Sequence, residues 1–402
     1  MKNEKWTLSI NYFIIFLYLL CVSFLNFTIG YIIPSILLII FGFLIFLTKK
    51  HKLKTSYFVF QLFFILHTII YIILGFTVSS QNSFSSLTTL FINIIINISI
   101  YYVINSCIKK ENDYKKALEK IIKYFIPISI FVGVFILLYT KGAGEDGRLA
   151  HGILKPFSNS QAYISTEIAL VALYGIISSL YFVYKNKEKK YLFALPFLFI
   201  IIVLTGSRKA ILALLLIIFL YYFDFNNTKF NFKSLFKIIG GLLIIGILAF
   251  AIIKVPFLYD SIGWRFVSAI NGEETSANSR SIMYELAQRK IKEKPLFGYG
   301  LNTFRTFNGS YGAWAHNNYY EILIAGGVFL FIPYYFFYFY IIKNLYKYRN
   351  RHPINKYFLY IMLVMIFCDF IGVTYMDRLV QFFLLCSSIL VSQNRKDGNN
   401  NE

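Results

Sequence analysis

The chain has 402 residues, of which 57% are hydrophobic, 20% aromatic and only 15% charged, and its formal net charge is +21. Soluble domains usually carry about a quarter charged residues, so this composition excludes an ordinary soluble protein. Successive apolar stretches of about 20 residues are each long enough to cross a hydrocarbon core of about 30 Å. Runs such as YFIIFLYLL (12–20) do not alternate polar and apolar residues as barrel strands do, so the spanning elements are predicted to be helices.

About twelve spans are predicted, and they form one all-α polytopic membrane helix bundle, a single membrane domain over residues 1–402. The seventh and eighth spans meet at TGSRK (205–209), where one long helix over 191–223 is the alternative to two separate spans. One large extracytoplasmic loop, 255–316, is expected between the ninth and tenth spans. The predicted spans cover 7–25, 28–48, 56–76, 86–108, 121–140, 161–184, 191–206, 208–223, 236–254, 317–342, 355–375 and 379–393.

Lysine and arginine concentrate in alternate connections, such as KKHKLK (49–54), KKENDYKK (109–116) and KNLYKYRNR (343–351), whereas TVSSQNSFS (77–85) has neither. Because positive loops stay inside, both termini are predicted to be cytoplasmic. The charge lies in short loops and not on one folded face, which favours attraction to an anionic inner leaflet over nucleic-acid binding. The four cysteines lie in apolar segments without metal-ligand spacing, so neither a disulfide nor a metal is expected.

The extracytoplasmic loop contains a segment with helical periodicity, SANSRSIMYELAQRKIKEK (276–294). Its apolar positions share one face and Pro295 ends the pattern, so an amphipathic helix lying on the membrane surface is predicted. The basic end of the helix suits phosphate headgroups, although cations also favour any helix C-terminus. The apolar positions are Met283, Leu286, Ala287 and Ile291, and the basic ones are Lys290, Lys292 and Lys294. The following PLFGYG (295–300) predicts a tight turn.

Several ionisable residues collect on the predicted outer side. Arginine suits phosphate because its guanidinium binds phosphate oxygens bidentately. His316 is expected to head a helix that starts at Ala315, and near neutral pH an imidazole can accept a proton from a hydroxyl. Both residues also have a purely structural interpretation. His316 can be an interfacial residue at a helix start, and Arg208 can be an anchor at a helix end. The outward-facing set is Arg148, His151, Arg208, Lys209, Arg265, Arg280, Arg305, His316 and Arg378.

Four ionisable residues fall within predicted spans, where such groups are costly and often functional: His67, Glu167, Glu321 and Asp369. His67 has no polar companion nearby in the sequence and is predicted to be a packed neutral core histidine. Asp369 is a candidate partner for an arginine.

Four segments together resemble the superfamily of O-antigen ligases and O-antigen polymerases. They share with it a Ser-Arg at a helix start, an Arg heading a surface helix, a Pro-hydrophobic-Gly-x-Gly turn, and a His-Asn leading into a helix with a downstream Gly pair. FSNSQA (157–162) departs from the Pro-Asn usual in the earlier outer loop. The resemblance covers mainly 145–335, and the segments are GRLAHGILKPFSNSQAYIS (147–165), LTGSRKAILALLL (204–216), SRSIMYELAQRKIKEKPLFGYGLNTF (279–304) and AHNNYYEILIAGGVFLFI (315–332).

The resemblance implies a metal-independent membrane glycosyltransferase without cofactor. Its donor would be a glycan on undecaprenyl pyrophosphate, used at the outer face of a bacterial cytoplasmic membrane. His316 would activate the acceptor hydroxyl, while Arg208 and Arg280 would bind the pyrophosphate and stabilise its departure. The further substrate-binding candidates are Arg148, Arg265, Asn317, Tyr320 and Glu321.

Three functions remain as alternatives. The first is polymerisation of lipid-linked repeat units into capsular polysaccharide or O-antigen, with a chain-length regulator and a flippase as further partners. The second is ligase-type transfer of a glycan to another acceptor. The third is non-enzymatic flipping of lipid-linked sugars, which predicts an internal repeat, and 1–140 and 255–402 do not resemble each other.

Overall fold

A computed structural model describes residues 2–25, 28–49, 55–111, 113–141, 148–158, 161–224, 275–307, 309–310 and 312–399, with scattered positions between 240 and 271. Within these ranges the regular secondary structure is helical, apart from an isolated bridge between Leu154 and Ala162. The predicted all-α class is therefore confirmed.

The α-helices are numbered here in chain order, over the described residues only. Short 3-10 turns at Ile29–Tyr31, Lys189–Phe193 and Phe304–Thr306 connect some of them. The α-helices are α1 (Lys2–Leu25), α2 (Ile32–Lys49), α3 (Ser56–Ile73), α4 (Ser80–Glu111), α5 (Tyr114–Lys123), α6 (Phe125–Thr140), α7 (Ser165–Asn186), α8 (Ala194–Leu204), α9 (Arg208–Asp224), α10 (Thr275–Glu293), α11 (Asn318–Lys347), α12 (Pro353–Asp369) and α13 (Arg378–Asn399).

The chain divides into two compact units. The first unit comprises Met1–Val22, Tyr31–Ile121 and Ser276–Glu402, and the second comprises Ser23–Gly30 and Ile122–Thr275. Helices α2 to α4 and α10 to α13 therefore belong to the first unit, while α6 to α9 belong to the second.

Five helices among the described residues are long and apolar enough to cross a membrane, which agrees with the predicted membrane protein. Two shorter apolar helices occupy Ser9–Leu25 and Ile32–Thr48. The total of about twelve spans stays a prediction. The five candidate spans are Ser56–Ile73, Gln81–Lys109, Tyr114–Thr140, Ser165–Lys185 and Asn318–Lys347.

Some predicted boundaries differ from the structure. The span predicted at 121–140 begins earlier, within the candidate span Tyr114–Thr140, whose two helices α5 and α6 meet at Tyr124, three residues before Pro127. The span predicted at 355–375 stops at Asp369. Residues 205–207 separate α8 from α9, which agrees with two helices over one long one. The span predicted at 236–254 lies almost entirely outside the described residues.

Buried polar side chains join α3, α4 and α13 in the first unit. The Tyr57 hydroxyl donates to Gln381 Oε1 at 2.9 Å, and Gln61 Nε2 donates to the same oxygen at 2.6 Å. Asn97 Nδ2 donates to the Tyr57 hydroxyl at 2.7 Å. Because hydrocarbon offers no water to replace such partners, these bonds fix which helices are neighbours.

Helix α11 is broken at Gly326 and Gly327, and the segment 295–300 fills the break. In an uninterrupted helix the carbonyls of Ile324 and Ala325 would accept from the N–H groups four residues later. Instead they accept from Tyr299 at 2.7 Å and Gly300 at 2.8 Å. The N–H groups thereby released, of Val328 and Phe329, donate to the carbonyls of Pro295 and Leu296 at 2.9 and 3.3 Å. These four backbone groups thus find new partners in the segment 295–300.

The contact between residues 295–300 and the break in α11 depends on glycine. Gly298 and Gly327 have φ values of +66° and +58°, which favour glycine. A Cβ on Gly298 would lie 2.8 Å from the backbone nitrogens of Gly326 and Gly327, and one on Gly327 would overlap Leu296. The His67 ring lies against Gly326 and stacks on Tyr71 with ring centres 4.1 Å apart, as expected for a packed core histidine.

Replacing Gly298 with alanine should therefore destabilise the protein far more than the same change at Gly75. Gly75 also has a positive φ, of +67°, but a Cβ there would meet no atom within 4 Å. Gly75→Ala incurs only the left-handed strain of about 1–2 kcal/mol, whereas Gly298→Ala adds a backbone overlap and should lose at least about twice as much. Thermal unfolding of both purified variants in detergent measures the difference. Equal losses would mean that the crossing does not require a bare backbone at Gly298.

Candidate active site

His316 precedes α11 and is not part of it. Asn317 has an extended backbone, and its Oδ1 accepts the N–H of Tyr320 at 3.1 Å, so Asn317 caps a helix that begins at Asn318. His316 has a φ of +55°, outside the helical range. The prediction of a helix from Ala315, with His316 sharing a face with Tyr319 and Tyr320, is therefore wrong at its first turn.

The turn that carries His316 is tied to the first turn of α11. Glu321 is 2% exposed, and its Oε1 accepts the N–H of Ala315 at 2.6 Å. The Asn317 Nδ2 donates to the carbonyl of Phe370 at 3.2 Å. Both side chains are thus engaged in fixing the turn, which gives them a structural role beside the predicted substrate binding.

The His316 side chain is exposed, yet its surroundings disfavour the protonated ring. Neighbouring protein atoms partly desolvate the imidazole, and the Arg280 guanidinium repels an added proton, so the His316 pKa lies below its ordinary value. An imidazole with a lowered pKa is neutral at pH 7 and can accept a proton. The structure thus brings together two of the three predicted catalytic residues.

Tyr320 anchors the face of α10 that carries Arg280. Arg280, Tyr284 and Gln288 follow each other at four-residue spacing and so share a face of that helix. The Tyr320 hydroxyl accepts from Gln288 Nε2 at 2.9 Å, and the Tyr284 and Tyr320 rings meet edge to face at 5.4 Å. Tyr320, predicted to bind substrate, thus links the head of α11 to the helix of Arg280.

The predicted amphipathic helix is present as α10, and its apolar face is covered by the protein itself. Tyr299, Phe304, Phe307 and Ala315, which follow α10 in the chain, pack on that face. The position of α10 on the membrane surface stays a prediction. The buried cluster comprises Met283, Leu286, Ala287, Tyr299, Phe304, Ala315 and Ile324, with Ile291, Phe307 and Tyr320 packed against it.

The basic end of α10 is partly occupied by contacts within the first unit. Lys290 forms an ion pair with Glu293 at 2.7 Å, and the Tyr299 hydroxyl donates to the same carboxylate at 2.8 Å. These bonds lower the pKa of Glu293. Lys294 lies 4.7 Å from the centre of the Tyr299 ring. Lys290 and Lys294 therefore help to close the helix end, which favours the helix-end interpretation for these two lysines.

A buried network behind the head of α11 was missed by sequence reasoning. Asn318 is fully buried, and its Oδ1 accepts the N–H groups of Thr374 and Tyr375 at 3.0 and 3.2 Å. Its Nδ2 donates to Asp369 Oδ2 at 3.2 Å. Asp369 also accepts from the hydroxyls of Tyr335 and Thr374. Amide and hydroxyl groups thus donate to the carboxylate that was a candidate partner for an arginine.

Two other arginines of the first unit that are predicted to face outward have aromatic partners. Arg378 is buried over the Tyr31 ring, 4.2 Å from its centre. Arg305 is exposed, lies 5.2 Å from the centre of the Trp314 ring and donates from Nε to the Gly312 carbonyl at 2.8 Å. Each guanidinium is thereby held by an aromatic face.

The second unit holds the remaining described candidates. Arg208 is the first residue of α9, where Ser207 Oγ accepts from the N–H of Ala210 at 3.4 Å. Leu149 donates its N–H to the Leu204 carbonyl at 2.9 Å, so the loop with Arg148 lies against the end of α8. Arg148 and Arg208 therefore belong to neighbouring segments of one unit.

Two predicted residues remain to be placed. Arg265 lies outside the described residues. Glu167 forms an ion pair at 3.0 Å with Lys155, which is itself buried. Within the described ranges no three His, Cys, Asp or Glu side chains group as metal ligands.

Comparison with known proteins gives two matches. Residues 192–335 match the model of the O-antigen ligase family, which confirms the resemblance predicted from the sequence. The matched range contains Arg208, Arg280 and His316 but not Arg148. An uncharacterized protein of Haemophilus influenzae is 27% identical over 265 residues, or 59% of this chain. The chain spans 62% of the length of that relative.

Removing the Arg280 charge should raise the His316 pKa. In the Arg280→Gln variant the repulsion of the added proton is lost, so His316 should protonate at a higher pH than in the wild type. Diethyl pyrocarbonate reacts with the neutral imidazole and not with the protonated ring, so the rate of His316 modification across pH 4–8, followed by mass spectrometry of its peptide, gives the pKa. Arg289→Gln, which removes an exposed charge from the same helix, is the matched control. Identical profiles for Arg280→Gln and Arg289→Gln would remove Arg280 from the surroundings of His316.

Proposed function

Residues 192–335 match the O-antigen ligase family, and on that premise we propose that the protein polymerises oligosaccharide repeat units carried on undecaprenyl pyrophosphate. The polymer is capsular polysaccharide or O-antigen. The family match supports activity of the ligase or polymerase type. We further propose that the substrate is a repeat unit, that the reaction is polymerisation, and that it needs no metal.

The observation that carries the proposal is an exposed His316 on the turn before α11, with the charge of Arg280 on α10 acting on its imidazole. His316 is exposed, has a lowered pKa and sits on a turn fixed by Asn317 and Glu321. In the proposed reaction its imidazole accepts the proton of an acceptor hydroxyl. The hydroxyl oxygen bonds to the anomeric carbon, and the bond from that carbon to the pyrophosphate oxygen breaks.

The leaving pyrophosphate requires positive charge where its own negative charge develops. Arg280 supplies that charge beside His316, and we assign Arg208, Arg148 and Arg265 to further phosphate contacts. A guanidinium stays charged whatever its burial, so it provides this stabilisation without a metal ion.

The proposed orientation follows the distribution of lysine and arginine. Both termini are cytoplasmic, and His316 and Arg280 face the outer side of the cytoplasmic membrane. Lipid-linked repeat units reach that side through a flippase, and a chain-length regulator is the other proposed partner.

Ligase-type transfer remains the second candidate, because the family match favours it equally. Purified protein incubated with one lipid-linked repeat unit distinguishes the candidates. A ladder of products supports polymerisation, whereas transfer only to a different acceptor supports a ligase. No glycosidic bond formation with any acceptor would contradict both and favour a flippase.

Replacing His316 and replacing Asn317 should have opposite effects on stability and turnover. His316→Ala removes an exposed proton acceptor and should leave thermal stability nearly unchanged while repeat units accumulate unpolymerised. Asn317→Ala removes a helix cap, worth about 1 kcal/mol, and should lower stability while turnover persists. Gel analysis of chain length and thermal unfolding of both variants give the comparison. Normal chain length in His316→Ala would exclude His316 from the reaction.

The arginine and the lysines of α10 should also separate by role. Arg280→Lys keeps the charge but loses two-point hydrogen bonding to phosphate, so turnover should fall by about 30- to 1,000-fold, the equivalent of about 2–4 kcal/mol. A triple alanine variant of Lys290, Lys292 and Lys294 should lower apparent substrate affinity modestly, and less so at high salt, and the lost Lys290–Glu293 ion pair should lower thermal stability slightly. Repeat-unit turnover at two ionic strengths measures both. Near-normal turnover in Arg280→Lys with an inactive triple variant would reverse the assignment.

A further inference from the structure

We propose that the second unit binds an anionic glycerophospholipid in a groove between the N-terminal ends of α6 and α8. This groove, called the Tyr191 groove below, has a volume of about 660 Å³. Ligand pockets typically measure about 300–1,000 Å³. Its walls are apolar and include Pro127 and Ile130 of α6 and Ala194 and Phe197 of α8.

The polar end of the Tyr191 groove carries two ammonium groups. Lys123 Nζ lies 5.5 Å from the centre of the Tyr191 ring, and Lys190 Nζ lies 5.2 Å from the same centre. Lys123 also lies 5.3 Å from the centre of the Phe182 ring. In the described part of the chain no carboxylate forms an ion pair with Lys123. Two cations are therefore gathered around one aromatic ring.

The arrangement matches the two parts of a phospholipid. Lys123 ends α5 just before α6, and Lys190 lies in the 3-10 turn just before α8, while the apolar lining residues follow along α6 and α8. The two ammonium groups are the cations that a lipid phosphate would contact. Acyl chain carbons would then run along Ile130 and Phe197. The lysine-rich segment 185–190 places the headgroup on the side predicted to be cytoplasmic, where anionic lipids are abundant.

One carboxylate at the polar end of the Tyr191 groove would compete with a lipid phosphate for Lys190. Glu188 pairs with Lys190 at 2.9 Å, while the Lys190 side chain remains 67% exposed. The lysine ammonium has three protons, so a phosphate can bind beside the pair. Glu188 competes with that phosphate for the same cation, and its removal should tighten binding. This opposite effect separates the proposal from a general loss of folding.

The test measures binding of phosphatidylglycerol to the full chain in a neutral detergent by native mass spectrometry. Phosphatidylcholine with the same acyl chains and water-soluble glycerol 3-phosphate are the comparison ligands. Lys123→Gln and Lys190→Gln should each weaken phosphatidylglycerol binding about fivefold, and Glu188→Gln should strengthen it. Lys189→Gln, at an exposed neighbouring lysine outside the groove, is the matched control and should have little effect.

Several outcomes would overturn the site. Unchanged phosphatidylglycerol binding in the Lys123/Lys190 double glutamine variant would do so. An equal loss in Lys189→Gln would indicate diffuse surface charge in place of a groove. Equal affinity for phosphatidylcholine, or displacement by glycerol 3-phosphate at the same concentration, would exclude an anionic lipid that uses both headgroup and chains.

Discussion

Four backbone hydrogen bonds between residues 295–300 and 324–329 tie the segment after α10 to the break in α11. They replace the bonds that α11 loses at its glycine pair, so neither segment could keep its conformation alone. An unsatisfied backbone group in a membrane costs several kcal/mol, and here two donors and two acceptors of a broken helix find partners in one crossing segment. The break, called the joint below, therefore connects residues 295–300 to α11, two elements that are adjacent in space but separated in sequence.

The joint matters for the candidate active site because each segment leads directly to one catalytic candidate. Residues 295–300 follow α10, which carries Arg280, and residues 324–329 follow the first turn of α11, which His316 precedes. Tyr320 adds a second link through Gln288 and Tyr284. Two sets of contacts therefore hold α10 against α11. They keep the Arg280 charge near His316, and this charge, after partial desolvation, lowers the pKa of the imidazole.

The helices were largely predictable from the sequence, whereas the contacts between them were not. Apolar runs predicted the five candidate membrane helices of the described residues, and the periodicity of Met283, Leu286 and Ala287 predicted α10, because both signals are local. The joining of PLFGYG to the glycine pair of α11 involves backbone groups about 30 residues apart, which leave no periodicity. The start of α11 was predicted at Ala315 although the sequence contains the correct signal. An asparagine directly before an apolar run predicts a helix cap, and Asn317 is that cap. The amide and hydroxyl donors of Asp369, from residues 34 and 51 positions away, also left no signal in the sequence.

The three polar residues at the head of α11 show how a membrane helix can begin with side chains that lipid disfavours. Asn318 is buried and satisfied by Asp369, Thr374 and Tyr375, so it holds the following chain segment against the helix. Asn317 satisfies the first turn as its cap. His316 then occupies a left-handed position outside both tasks, exposed and beside a positive charge. Asn317 and Asn318 meet the structural requirements of the helix start. The His316 imidazole therefore has no such task and can serve as the proposed proton acceptor.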